Sequence, residues 1–234
     1  MASATSTLPA RETREELALP AQISLQPIAA PSILGLYGFA GATFMVAAHM
    51  AHWFGGTLTD LYLAPFAAVF GGLAQFTAGM WSFKARDGIA TAMHGMWGSF
   101  WMAFGLLELA FLHGSLAQPT GAFPALGFWF IVLAAITWVG MIAASAENKP
   151  LSVLLGFLAA GSTAAAIGYL TGAEWLNILA GYLLIVSAFI AWYAGSALML
   201  KGSFRRPATG MGEAARKEPI LMPGRGEPGV IRGQ

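Results

Sequence analysis

"APSILGLYGFAG", Ala30–Gly41, opens a long apolar run with one proline and three glycines among twelve residues. Inside an ordinary helix glycine costs about 1 kcal/mol and proline about 3 kcal/mol relative to alanine. Pro31 escapes that cost at a helix start, where its missing N–H has no intrahelical partner to lose. Gly35 and Gly38 can serve in two ways. They can let this helix cross its neighbours closely, or they can expose backbone to a solute at a narrow point. Spacing alone does not separate the two. Both readings presuppose a helix in a bilayer, and the surroundings agree: no charged residue occurs between Glu16 and Asp60.

The rest of the chain is built the same way. Of 234 residues, 57% are hydrophobic and 10% charged, against roughly 25% charged in a soluble domain. A second charge-free stretch runs from Glu108 to Glu147. The pattern predicts an all-α membrane protein, a bundle of six transmembrane helices near Ser32–Phe54, Leu61–Phe83, Ile89–His113, Ala122–Ala144, Leu151–Thr171 and Trp175–Leu200. Each is long enough to cover about 30 Å at 1.5 Å per residue, the thickness of a bilayer core. The connections "GGTLTD", "KARDG", "GSLAQPTG", "AENKP" and "TGAE" are short and polar or rich in glycine and proline. One six-span domain, 31–201, is therefore expected between two tails.

The tails are of different material. Residues 1–30 hold "ARETREEL" and three prolines, without the apolar core of a signal peptide. Residues 202–234 are rich in glycine, proline and charge, the composition of a disordered segment. The chain has no cysteine, which excludes disulfides and thiolate metal sites. All twelve lysines and arginines fall in the tails or in the second and fourth connections, whereas the other three connections carry only Asp60 and Glu174. This asymmetry predicts cytoplasmic N- and C-termini in a cell membrane.

"PSILGLYGF" resembles the motif N-P-A-P-L-G-L-x-G-F of the acetate uptake transporter family, the succinate–acetate permeases. It departs at Ala30, where the family has asparagine, and at Ile33, where it has proline. "GGLAQFTAGMWSFK", Gly71–Lys84, is similar to the family's second span, "WGSFW", Trp97–Trp101, to its Y-G-S-F-W, and "GYLTGAE", Gly168–Glu174, to its fifth connection. The resemblance covers roughly residues 28 to 203. It implies a homohexamer with a route through each protomer for acetate or related short-chain carboxylates, succinate among them, moved together with protons. It also implies a hydrophobic constriction at Phe39, Trp97 and Leu158, with a tryptophan where the family has tyrosine. Trp97 keeps a large ring and a hydrogen-bond donor but cannot accept.

Independently of the family, no lysine or arginine lies within a span, so a permanent anion has no charge clamp. A bare carboxylate at membrane depth is costly without such partners. The lining therefore suits a small monocarboxylate crossing as the neutral acid or with a proton. Candidate polar contacts are Gln75, Ser99, Ser162 and Thr163; a satisfied interhelical hydrogen bond is an equal alternative for each. His49 and His52, in "HMAH", stand at the outer end of the first span, with too few further ligands beyond Asp60 for a metal. His49 is a candidate polar group at the outer entrance, while His94 and His113 read as solvated interface residues. Positions 94, 97, 101 and 108 share one helix face, so Glu108, if Trp97 faces the route, faces it too. The competing reading of Glu108 is a side chain that snorkels to water. Trp53, Trp129, Trp175 and Trp192 read as interface-belt or packing aromatics.

Two other function classes stand beside the permease. One is a channel or transporter for another small solute, such as ammonia, ammonium or urea. The other is an intramembrane enzyme, which is not expected, because the spans lack H-E-x-x-H, G-x-S-x-G and paired-aspartate motifs. No cofactor, metal or nucleic-acid partner is expected. The partners are a small acid, protons and the lipid bilayer.

Overall fold

The computed structural model describes residues 29–56 and 58–204. Of the two tails expected to be disordered, 1–30 and 202–234, residues 1–28 and 205–234 lie outside them, whereas 202–204 continue the last helix, a correction to that boundary. The described elements are all helical: α1 (Ser32–Met50), α2 (Thr59–Pro65), a π-helical segment (Phe66–Leu73), α3 (Ala74–Ala85), α4 (Gly88–Leu112), α5 (Pro124–Ser145), α6 (Lys149–Thr171) and α7 (Glu174–Phe204). Since α2, the π segment and α3 run on as one rod, the described residues contain six helices long and apolar enough to cross a membrane.

Two boundaries differ from the expectation for physical reasons. The first helix stops at Met50 instead of Phe54: His52 turns into the left-handed region, φ 60°, and the Trp53 N–H reaches back to the Ala48 carbonyl at 2.9 Å. The second span is not a single regular α-helix. Pro65 brings no N–H to its ladder, and the chain beyond it takes the wider i→i+5 register over Phe66–Leu73.

The helices close into a ring. α1 packs on α7, α7 on α6 and α6 on α5, while α3 and the π segment pack on α4 and also against α1. The seam between α4 and α5 has the least backbone proximity. Side chains bridge it: Phe100 meets Trp129 and Phe130 edge-on, and Trp97 donates to Thr137. In a bilayer no hydrophobic force holds helices together, so close approach of small residues carries the packing. A Cβ on Gly79 would stand 2.6 Å from Gly95 N, and one on Gly98 would stand 2.5 Å from Phe76 N. α3 and α4 thus touch backbone to backbone. The opening stretch does the same for α1: a Cβ on Gly38 would stand 2.8 Å from the Phe70 carbonyl oxygen.

Short caps fix the ends. Asp87 Oδ1 accepts from Ala90 N at 2.8 Å to start α4, and Asn148 Oδ1 accepts from Leu151 N at 3.3 Å to start α6. Both lie at the end of the bundle where α1 begins. At the other end, His52 Nε2 lies 3.4 Å from Glu174 Oε1 across two connections.

Candidate functional site

A cavity of about 200 Å³ runs inward from the end bearing Ser32, Asp87 and Asn148 and finishes against Phe39, Trp97 and Leu158. Its walls come from α1, α3, α4, α6 and α7, with Glu147 from the α5–α6 connection at its rim. Beyond Trp97 lies a second cavity of about 20 Å³, lined by Thr43, Trp101, Phe104, Phe130, Tyr169 and Trp97 itself. That volume is room for about one water molecule. The indole of Trp97 is therefore a wall shared by both spaces.

Phe39, Trp97 and Leu158 are each buried, and the rings of Phe39 and Trp97 meet edge-on with centroids 6.3 Å apart. The structure brings these three candidates together. It also spends the one polar group of Trp97, because its Nε1–H donates to Thr137 Oγ1 at 3.0 Å, and the Thr137 hydroxyl donates to the Leu133 carbonyl at 2.6 Å. The donor that Trp97 keeps where the family has tyrosine thus locks the ring. Thr137 escaped sequence reading because a lone threonine in an apolar helix gives no signal of its partner forty residues away.

Thr137→Val keeps the shape and removes the acceptor, leaving the indole N–H buried without one. Such a loss costs about 1–3 kcal/mol. The variant is expected to unfold at a lower temperature than wild type in a thermal-shift measurement, with Thr137→Ser restoring most of the difference. Equal midpoints for wild type and Thr137→Val would show that this hydrogen bond does not hold the ring.

The polar candidates separate cleanly. Ser99, Ser162 and Thr163 each donate to the carbonyl four residues back, at 2.8 Å in all three cases. These are satisfied hydroxyls, and Ser99 does not line either cavity. Gln75 does line the larger one, and its buried Oε1 has no hydrogen-bond partner among the described residues. His49, half-buried, has Nδ1 3.1 Å from the Phe54 carbonyl, and its neighbour His52 faces Glu174, so the two imidazoles of "HMAH" serve different partners.

His94 corrects the sequence reading. It is not a solvated interface residue: it is buried, lines the larger cavity and has an Nδ1 without a partner among the described residues. Gly35 makes this placement feasible, since a Cβ there would stand 2.5 Å from His94 Cε1. The signal was present in the stripe 94, 97, 101 and 108. All four residues of that stripe are buried, including Glu108 at 8% exposure, so Glu108 does not snorkel to water. Glu108 lies within electrostatic reach of Tyr169, on the side of the smaller cavity. There, Thr43 Oγ1 and Trp101 Nε1 are likewise buried without partners among the described residues. Each of the two spaces thus offers two unsatisfied polar atoms, on either side of an apolar partition.

The comparisons with known proteins follow this geometry. The chain is 28% identical over 166 residues to Ammonia transport outward protein 2 of Saccharomyces cerevisiae, covering 70% of this chain and 58% of that protein. It therefore spans little more than half the length of that yeast relative. It is 27% identical over 160 residues to the Succinate-acetate/proton symporter SatP of Escherichia coli, covering 66% of this chain and 83% of that one. The solved structure of the bacterial acetate channel SatP superposes with a TM-score of 0.73 at 23% identity, over 80% of this chain and all of that one, which shows a shared fold. The model of the GPR1/FUN34/yaaH family matches residues 16–208, most of the sequence and every described helix, and the chain belongs to that family.

Proposed function

We propose that the protein is a multi-pass cell-membrane passage for acetate and related short monocarboxylic acids, which cross the partition at Phe39, Trp97 and Leu158 in proton-carrying form. One observation carries the reading. The cavity leading to the partition has no cationic side chain on its wall among the described residues, and it ends on three apolar side chains. A carboxylate at membrane depth needs cationic partners or water; an undissociated acid needs only a few hydrogen bonds and an apolar wall. Gln75 and His94 before the partition, and Thr43 and Trp101 beyond it, can supply those bonds. The relatives named for succinate–acetate/proton symport and for an acetate channel support the same substrate class.

In this reading the larger cavity faces the cytoplasm, both termini are cytoplasmic, and six copies assemble. Exposed apolar side chains such as Phe66, Val139, Ile142 and Phe189 suit lipid or a neighbouring protomer. Transport, not catalysis, is the activity. Uptake of labelled acetate into proteoliposomes tests it. Uptake should rise when the outside is acidified and should be inhibited by propionate; the absence of both responses would overturn the reading.

Ammonium is the second reading. Asp87 and Glu147 put carboxylates at the rim of the cavity, where a cation would gather, and the yeast relative is named for ammonia. Methylammonium uptake that acetate does not inhibit would favour it.

Glu108 belongs to the far side of the partition in the permease reading, eleven residues beyond Trp97 and so roughly 16 Å along α4. A carboxylate there repels an incoming anion unless it holds a proton. Glu108→Gln is expected to assemble normally and to lose much of the dependence of uptake on external pH. Overlapping pH profiles for mutant and wild type would make Glu108 a bystander.

A further inference from the structure

His94 is the imidazole that the bundle encloses; His49 is half-buried, and His52 and His113 are exposed, all three toward the other end. Its ring lies against Gly35, and its own backbone is held close to α3 at Gly79, where a Cβ would stand 3.1 Å from the His94 carbonyl carbon. A Cβ at Gly35 would also stand 2.6 Å from Nδ1 and from Nε2, so the glycine lies against the polar edge of the ring, and Nδ1 has no hydrogen-bond partner among the described residues. The charged groups on the cavity wall are Asp87, the N-cap of the same helix seven residues back, and Glu147 from the α5–α6 connection. α1, α3, α6 and α7 contribute no charged side chain to that wall among the described residues. Gln75 adds an amide oxygen, an acceptor.

This set is mismatched to a bare carboxylate. A carboxylate is an anion, and although the Gln75 amide and the neutral imidazole each carry an N–H donor, the charged groups on the wall are two carboxylates at the rim, with no cation among the described residues. A carboxylic acid fits better, because it is neutral and its O–H can donate to the acceptor nitrogen of the His94 ring, which lines the cavity. Resting on the permease reading, we propose that His94 is the group to which the transported carboxylic acid gives its proton on the cavity side of the partition. The acid's O–H bond breaks and an N–H bond forms at that ring nitrogen, with no change of oxidation state. The products are an imidazolium and a carboxylate, created together so that each offsets the charge of the other in an apolar space. Gln75 Oε1 is an acceptor available to the protonated ring or to the acid itself. The carboxylate leaves toward the mouth, and the imidazolium returns its proton to water there, beside Asp87 and Glu147. His94 thereby converts a membrane-permeable molecule into one that cannot recross the partition.

Nitrogen NMR of histidine-labelled protein in nanodiscs tests this directly, using acetate and its isostere acetamide, which has no carboxyl proton to give. The His94 signals are identified as those missing from His94→Gln. Near neutral pH, acetate is expected to move the His94 nitrogens toward imidazolium positions, and acetamide is not. In proteoliposomes, His94→Phe and His94→Gln should take up acetate about tenfold more slowly at neutral internal pH, the worth of one hydrogen bond to a charged group. They should also lose the dependence on internal pH while keeping that on external pH. Wild-type uptake with His94 signals unmoved by saturating acetate would overturn the inference alone; should both variants fail to assemble, those signals are the ones that survive replacement of His49, His52 and His113 by glutamine. Absence of acetate uptake by the wild type would overturn the permease reading and this inference together.

Discussion

Replacing Trp97 by alanine is expected to join the two cavities and to admit acids larger than acetate. The indole is the shared wall, so its removal leaves Phe39 and Leu158 facing a gap that their own side chains do not span. Selection against an added group by a close-fitting apolar wall is worth on the order of tenfold to two-hundredfold. The ratio of succinate or lactate uptake to acetate uptake should therefore rise by about tenfold or more. The structure adds a cost, since Trp97 also contacts Phe100 and binds Thr137 across the seam between α4 and α5, which side chains hold. Truncating so large a buried side chain destabilises by about 3–5 kcal/mol. Selectivity is therefore to be measured on protein shown to be monodisperse, with Trp97→Phe as a variant that keeps a ring. A folded Trp97→Ala protein with an unchanged uptake ratio would remove Trp97 from the partition.

Gly98→Val is expected to prevent assembly altogether. Its Cβ would stand 2.5 Å from Phe76 N and 2.8 Å from Phe76 Cα, and backbone atoms cannot rotate out of the way as a side chain can. α3 and α4 would have to separate, and with them Gln75 and His94. Gly95, three residues earlier on the same helix, provides the contrast: a Cβ there meets nothing within 4 Å. Gly95→Ala should accumulate at wild-type levels, with a helix-propensity gain of about 1 kcal/mol. Fluorescence-detected size-exclusion chromatography of the two variants decides the matter, and equal yields would show that the close α3–α4 contact is dispensable.

The membrane fold was legible because it is written in composition. A charge-free run of twenty residues is visible without knowing its neighbours, and five short polar connections divide the chain into six such runs. Parts of the site were legible as well: Phe39, Trp97 and Leu158 through the family's motifs, and Gln75 through its place in one of them. What escaped depends on partners. The hydroxyls of Ser99, Ser162 and Thr163 look available in sequence, yet each donates to its own helix, and Thr163 also accepts from Trp138 Nε1 on the neighbouring one. His94 looks like an interface residue by its distance from the end of a span. Its burial depends on Gly35, a residue fifty-nine positions away that has no side chain to stand in the ring's place.

The π segment at Phe66–Leu73 bears on how this chain tolerates changes in length. An i→i+5 register winds more residues into each turn than the α-helix on either side, so the second span holds slack of about one residue between Pro65 and Ala74. Deleting a single residue there can be absorbed by tightening those turns to α, leaving Gln75 on the cavity wall. In α4, regular from Gly88 to Leu112, there is no such reserve. The same deletion between His94 and Trp97 would swing everything beyond it by about 100°, turning Trp101 and Glu108 away from the face they share. Indels in this molecule should therefore be survivable in one transmembrane helix and ruinous in the helix beside it.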